Sequence, residues 1–404
     1  MKSIFNILVG CLFLSSCSLL SEKHRSMDCF TDVDAESITS NIKDFKLLDK
    51  SVSVKIPEIQ FGKDYVVNYK DLFDSIYVVP LQTTSESLVG KASKILFSND
   101  TLYILDVMKT KCVKRFKKSG EYIDDIGNEG NGPGEYVEPT DIFIGKDITI
   151  YDQFQQKLIF YAKNGTFLYE KKVPFAFMQF AFLDESTYLF RYVNSQNFHI
   201  EQLSDYNLWT SDTSFNIGLR GLHRISGSTI ALWSWTGMRH YGDSFFINDG
   251  ISDTIYKVDN NKLLSSVYVL DFDGHRPSEA YTSSSKLRDY SKKSDFYLFP
   301  RYDVCDKYLF LSLGVNGRGY DVFYSNDSKS AVCCNLISLS DNGVMFPSIL
   351  DSESTAIDNT FVSILDCYKL LDNPDFDSLS NYIGGCFDNI KPDDNPVLVF
   401  YKMK

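Results

Sequence analysis

One segment concentrates side chains that could bind a ligand: Trp233-Ser234-Trp235-Thr236-Gly237-Met238-Arg239-His240-Tyr241. Flat aromatic rings beside a guanidinium and an imidazole can stack on a sugar or hold a peptide. On a strand, Trp233 and Trp235 would share one face, which also suits burial between packed sheets. Trp233, Trp235, Arg239, His240 and Tyr241 are therefore the candidate ligand contacts. Asp106 and Asp152 are the candidate carboxylate pair for acid–base chemistry. Their equivalent places in two repeated units favour a structural role instead, with Asp bonding backbone in a turn. The five histidines, His24, His199, His223, His240 and His275, show neither HxH nor HxxxH spacing, so no metal and no cofactor is assigned. No G-x-S-x-G announces a serine nucleophile. Gly130-Asn131-Gly132-Pro133-Gly134 lacks GxxxxGK[ST] and no helix pattern follows it, so it reads as a chain joint and not a phosphate loop. No catalytic residue is assigned.

The elements that must position these residues are strands. Lys94-Ile95-Leu96-Phe97, Leu102 to Asp106, Val113 to Phe116 and Glu121 to Ile126 form one four-stranded unit. After the Gly-rich joint the order recurs in Asp141 to Ile144, Ile148 to Asp152, Leu158 to Tyr161 and Thr166 to Glu170. Asp106 matches Asp152, and Gly120 matches Gly165 with a slip of one residue. Four strands repeating about every 40–50 residues is the period of a propeller blade. Later segments fit the pattern more loosely. They include Thr187 to Tyr192, Phe198-His199-Ile200, Thr229 to Trp233, Asp253 to Val258, Tyr308 to Ser312 and Phe361 to Leu365. Residues 278–293 break it and read as a helical or loop insertion. At about 40–60 residues per blade with insertions, residues 51–404 hold six blades. A ring must hide its end strands, and Ser51 to Ile56 with Pro396 to Lys402 are the candidates for that closing pair.

Several phrases carry a resemblance. Gly134-Glu135-Tyr136, Pro139-Thr140-Asp141, Ile150-Tyr151-Asp152 and Asn164-Gly165-Thr166-Phe167 resemble the NHL-type propeller repeat. Asp74 to Leu81, Ser252 to Tyr256 and Asn395 to Leu398 are similar, in the same order, to recurring phrases of the bacterial six-bladed β-propeller lipoproteins. The resemblance spans roughly residues 50–404. It implies an all-β six-bladed propeller of four-stranded antiparallel blades, closed by N- and C-terminal strands, and a place in the cell envelope. It implies no reaction.

The N-terminus agrees. Lys2 precedes a short apolar run over residues 4–14, too short for the about 20 residues that span a bilayer. Leu14-Ser15-Ser16-Cys17 resembles the bacterial lipobox, which makes residues 1–16 a signal peptide, Cys17 the lipidated residue and residues 17–50 a tether. Multiple acyl chains on Cys17 would anchor it stably in the bilayer. Ser18-Leu19-Leu20 lacks an acidic run, so an outer-membrane lipoprotein facing the periplasm is expected. Beyond Cys11 and Cys17, seven cysteines remain: Cys29, Cys112, Cys305, Cys333, Cys334, Cys367 and Cys386. No CxxC pair occurs, so buried free thiols are expected. A formal net charge of −12 lacks the basic footprint of a nucleic-acid binder. The reading is an envelope-anchored, non-catalytic propeller that binds a protein or glycan partner. The alternative is a hydrolase or lyase acting in the central channel.

Overall fold

Period-two alternation divides nearly continuous apolar strands between two different cores. In the strand Lys157–Tyr161, Leu158 and Phe160 enter one cluster while Ile159 and Tyr161 enter another. In Val397–Met403, Val397, Val399 and Tyr401 face one cluster, and Leu398 and Phe400 the other. A sheet with two apolar faces must be sandwiched on both sides. The result, in this computed structural model, is a ring of six antiparallel blades about a central channel. It describes residues 30–193, 197–224, 237–339, 345–347, 356–372, 376, 380 and 389–404.

The first blade runs outward through Lys94–Ser98, Thr101–Asp106, Cys112–Lys117 and Tyr122–Ile126. The second uses Pro139–Ile144, Ile148–Asp152, Lys157–Tyr161 and Phe167–Lys172. The third uses Gln179–Asp184, Thr187–Arg191, Tyr206–Asp212 and Ile217–His223. The fourth comprises Met238–Tyr241, Ser244–Ile247, Thr254–Asp259 and Leu264–Asp271, and the fifth Tyr297–Val304, Tyr308–Val315, Arg318–Ser325 and Ala331–Cys334. The sixth is composite: Thr360–Leu365, Val397–Met403 and Phe73–Pro80. Each junction between neighbours holds its own apolar cluster.

The ring does close on strands from near the two chain ends, but the N-terminal partner differs from the one expected. Phe73–Pro80 lies antiparallel to Val397–Met403, and Tyr77 stacks on Phe400 at 4.7 Å. The expected strand, Ser51 to Ile56, falls in Leu47–Lys55, which adds a parallel fifth strand to the outer edge of the fourth blade. Alternation alone does not distinguish an outer parallel position from a closing one. Residues 43–44, assigned to the tether on polarity, likewise pair in parallel with the third blade's outer strand. Phe198-His199-Ile200 is not a strand. It sits in turns ahead of a 3-10 helix, Glu201–Leu203. The third blade instead uses Tyr206–Asp212 and Ile217–His223, where Asn207, Gly218 and Gly221 dilute the apolar pattern. The insertion near 278–293 holds a 3-10 turn, Ser278–Tyr281, and a short helix, Ser284–Tyr290, capped by Ser283. Cys333 and Cys334 point into opposite cores, and Cys112, Cys305 and Cys367 are also free thiols. Cys17, Cys29, Cys386 and the 229–233 segment lie outside the described residues.

The repeated Asp and Gly positions are structural. Asp106 Oδ2 accepts from the Gly90 and Lys91 amides, and its Oδ1 from those of Met108 and Lys109. Asp152 repeats this on Val137, Phe154 and Gln155. Each carboxylate thus ties the incoming connection to the turn after the second strand. Gly120 and Gly165 both adopt φ +88, which a side chain would disfavour. Asn395 locks the closing blade. Its Oδ1 accepts from the Val89 amide, and its Nδ2 donates to the Gln82 and Ser87 carbonyls, each at 2.8 Å. Removing these buried bonds leaves their partners unsatisfied, so Asn395→Ala should lower stability by about 2–4 kcal/mol. Hydrogen exchange should show Phe73–Pro80 losing protection before the third blade; uniform loss would contradict a local lock.

Candidate functional site

The central channel is walled by the first strand of each blade, and much of its polar lining ties one blade to the next. Lys94 on the first blade donates to Asp141 on the second at 2.7 Å and to the Ile142 carbonyl at 2.9 Å. Asp141 Oδ2 accepts from the Phe180 amide of the third blade at 2.8 Å. Burial pushes the Asp141 carboxyl up, and the Lys94 ammonium pulls against it. On the other side, Arg239 Nε donates to the Tyr302 carbonyl at 3.0 Å. Arg191, wholly buried, donates to Gln179 and to the Asn248 carbonyl. Gly237 leaves room for it: a Cβ there would sit 2.2 Å from the guanidinium. This ion pair and these hydrogen bonds bolt neighbouring blades together. Among the described residues, no three His, Cys, Asp or Glu side chains gather as a metal-holding group.

The concave site lies on the face carrying the hairpins between first and second strands. A cavity of about 420 Å³ opens there between the second and third blades and is completed by the fourth. Its floor is a chain of aromatic rings. Tyr169, 44% exposed, stacks on Phe160 at 4.4 Å. Phe160 leads to Phe182, and Phe182 to Phe143 at 5.4 Å. Phe143 meets Phe245 and His240, which stack on each other at 4.6 Å. The strand pairings produce this line: Phe143, Thr149, Phe160 and Tyr169 are cross-strand neighbours on one face of the second blade.

The rim is polar and bears both signs. Lys171 Nζ donates to the Thr213 carbonyl at 3.0 Å, and Lys262 pairs with Asp184 at 3.3 Å. Burial opposes ionisation of Asp184, but the Ser186 hydroxyl and amide hold its carboxyl down to about 2. With its amide turned to donate, Asn260 bridges the Asp243 and Leu183 carbonyls, joining the hairpins of two blades. Lys146, Asp147, Glu185 and Asp243 line the cavity as well. His240 is open to the pocket, yet the protein around it disfavours a charge and holds its imidazole below the ordinary range.

Of the five ligand contacts expected from sequence, His240 lines this cavity. Alternation along Met238–Tyr241 turns its neighbours the other way. Arg239 is buried against the fifth blade, and Tyr241 packs in the cluster between the fifth and sixth, its hydroxyl 3.5 Å from Asn359. Trp233 and Trp235 lie outside the described residues. The rest of the floor was missed because it comes from three blades. A signal existed: Phe143 to Asp147, Phe182 to Glu185 and His240 to Asp243 each place an aromatic ring just before an acidic hairpin.

The comparisons with known proteins agree on architecture. Residues 52–402 match the family described as Domain of unknown function (DUF4934), and the chain belongs to it. A Bacteroides fragilis protein described as exported superposes with a TM-score of 0.65 at 20% identity, covering 89% of this chain and 100% of that one. A member of the DUF4221 family from Bacteroides vulgatus superposes with a TM-score of 0.50 at 11% identity, covering 82% and 97%. No curated protein matches the sequence.

Asp303, on the channel strand of the fifth blade, gives a titratable prediction. Burial pushes its carboxyl up to about 6, against the pull of Arg239. The unfolded chain ionises nearer pH 4, so the native state binds the extra proton between the two values. Native stability from this group is therefore greatest below about pH 4 and falls as pH rises through about 6. Asp303→Asn keeps the shape without the charge. Its stability relative to wild type should grow by up to about 1.4 kcal/mol per pH unit across that window, read by chemical denaturation at stepped pH. A difference independent of pH would mean the carboxylate is solvated.

Proposed function

We propose that this chain is an envelope-anchored, non-catalytic binding module that holds a protein or glycan partner at the aromatic pocket between its second, third and fourth blades. The observation that carries this reading is the pocket itself. Its volume falls within the about 300–1,000 Å³ of small-molecule sites, and an apolar floor with a few polar groups is what such sites present. The channel offers less for catalysis: Asp141 and Lys94 are spent on each other, Arg239 on backbone, and the Asp303 carboxyl is buried. Within the cluster around Trp233, Trp235, Arg239, His240 and Tyr241, we place the ligand against His240.

The proposed address is the periplasmic side of the outer membrane. Residues 1–16 would be removed as a signal peptide and Cys17 lipidated, with residues 17–50 leading to the propeller. Leu14-Ser15-Ser16-Cys17 behind a short apolar run supports this, as does the fold shared with a protein described as exported. Cys17→Ala should move the protein from the membrane pellet to the soluble fraction. Purification of the full chain from envelopes, followed by mass spectrometry, should return a reproducible partner that is lost in the Tyr169→Ala, His240→Ala double variant. Turnover of a glycan or peptide substrate by the purified chain would overturn the non-catalytic reading.

A further inference from the structure

We propose, resting on that reading of the pocket, that its ligand is an uncharged pyranose unit of a glycan. The floor comes first. From Tyr169 through Phe160, Phe182 and Phe143 to His240 the rings are in contact; Phe160 is buried beneath Tyr169, while Tyr169, Phe182, Phe143 and His240 keep area open to the cavity. Aromatic faces carry partial negative charge and attract the polarised C–H bonds on the flat side of a sugar ring.

The rim then selects most strongly against an anion, with Asp147, Asp184, Glu185 and Asp243 set against Lys146 and Lys171. Lys146, Asp147, Glu185 and Asp243 line the cavity and have no side-chain hydrogen bond or ion pair among the described residues. An anionic ligand meets the carboxylates, and a cationic one meets Lys146 and Lys171. A neutral polyol uses both signs, because each hydroxyl can donate to a carboxylate and accept from an ammonium.

A peptide fits less well. Extended peptides are captured most readily along an unpaired strand edge. Here most of the lining comes from hairpins whose strands are already paired, as Phe143 with Thr149 and Asp184 with Thr187, and the open edge of the second blade, Phe167–Lys172, borders only the outer end, away from Phe143 and His240. Tight hairpins also fix the side chains that would meet the sugar. Gly242 turns with φ +56 beside Asp243, and Asp184 accepts from the Ser186 amide. The site is thus held in shape before any ligand arrives, which lowers the entropic cost of binding.

The test uses the full chain in detergent on an array of neutral, anionic and amino-sugar glycans together with a peptide library, followed by calorimetric titration of the best binder. A neutral glycan should bind saturably and better than its charged counterparts. Tyr169→Ala and Asp243→Asn should each weaken it at least about tenfold with the melting temperature kept, and Glu121→Gln, on the first blade's outer turn, should leave it unchanged. Preference for charged sugars, or no binding to any glycan, would overturn the inference. Peptide binding abolished by Tyr169→Ala would overturn the sugar but leave the pocket standing. Binding indifferent to Tyr169→Ala would remove the pocket as well.

Discussion

Every blade in this molecule carries two apolar faces, and that single constraint governs the rest. A free blade would expose both faces to water, so each is stable only between neighbours, and only a closed ring gives every blade two of them. The six clusters, one at each junction, are the physical form of that closure. The channel polar groups follow from the same geometry. Where first strands converge, side chains such as Lys94 and Asp141 are taken out of water. They persist there because each finds an opposite charge and a backbone partner on an adjacent blade.

The pocket is an extension of these cores and not an addition to them. Phe143 packs at the edge of two clusters at once, the one between the second and third blades and the one between the third and fourth. At the hairpin face the blades end, the cover runs out, and rings that would have been core become floor. Such a floor inherits the rigidity of the packing beneath it, since Phe160 and Phe182 are fixed by their own neighbours. A surface built this way has little freedom left to lose.

Much of this was legible from sequence because period-two patterns and turn residues are local. Asp106 with Gly120 and Asp152 with Gly165 announced two blades, and the structure gives them the expected turn chemistry. The third blade was read poorly where Asn207, Gly218 and Gly221 interrupt alternation, since tertiary pairing there overrides weak local preference. The closing strand was misplaced for a related reason. Ser51 to Ile56 alternates and Phe73–Pro80 carries an apolar run, either of which suits a strand, and only the pairing with Val397–Met403 separates them. The site was the hardest part. His240 lay in a conspicuous cluster, but Phe143, Phe182 and Tyr169 are ordinary strand aromatics until three blades bring them together.

The clasp between Phe73–Pro80 and Val397–Met403 also sets an order on the making of the protein. Synthesis from the N-terminus makes Phe73–Pro80 roughly three hundred residues before its partner Val397–Met403. Until then the first and fifth blades each keep a greasy side uncovered, and no local pairing can seal them. Synthesis therefore passes through an open horseshoe that must be shielded from its own kind, and pairing of Val397–Met403 with Phe73–Pro80 turns it into a ring.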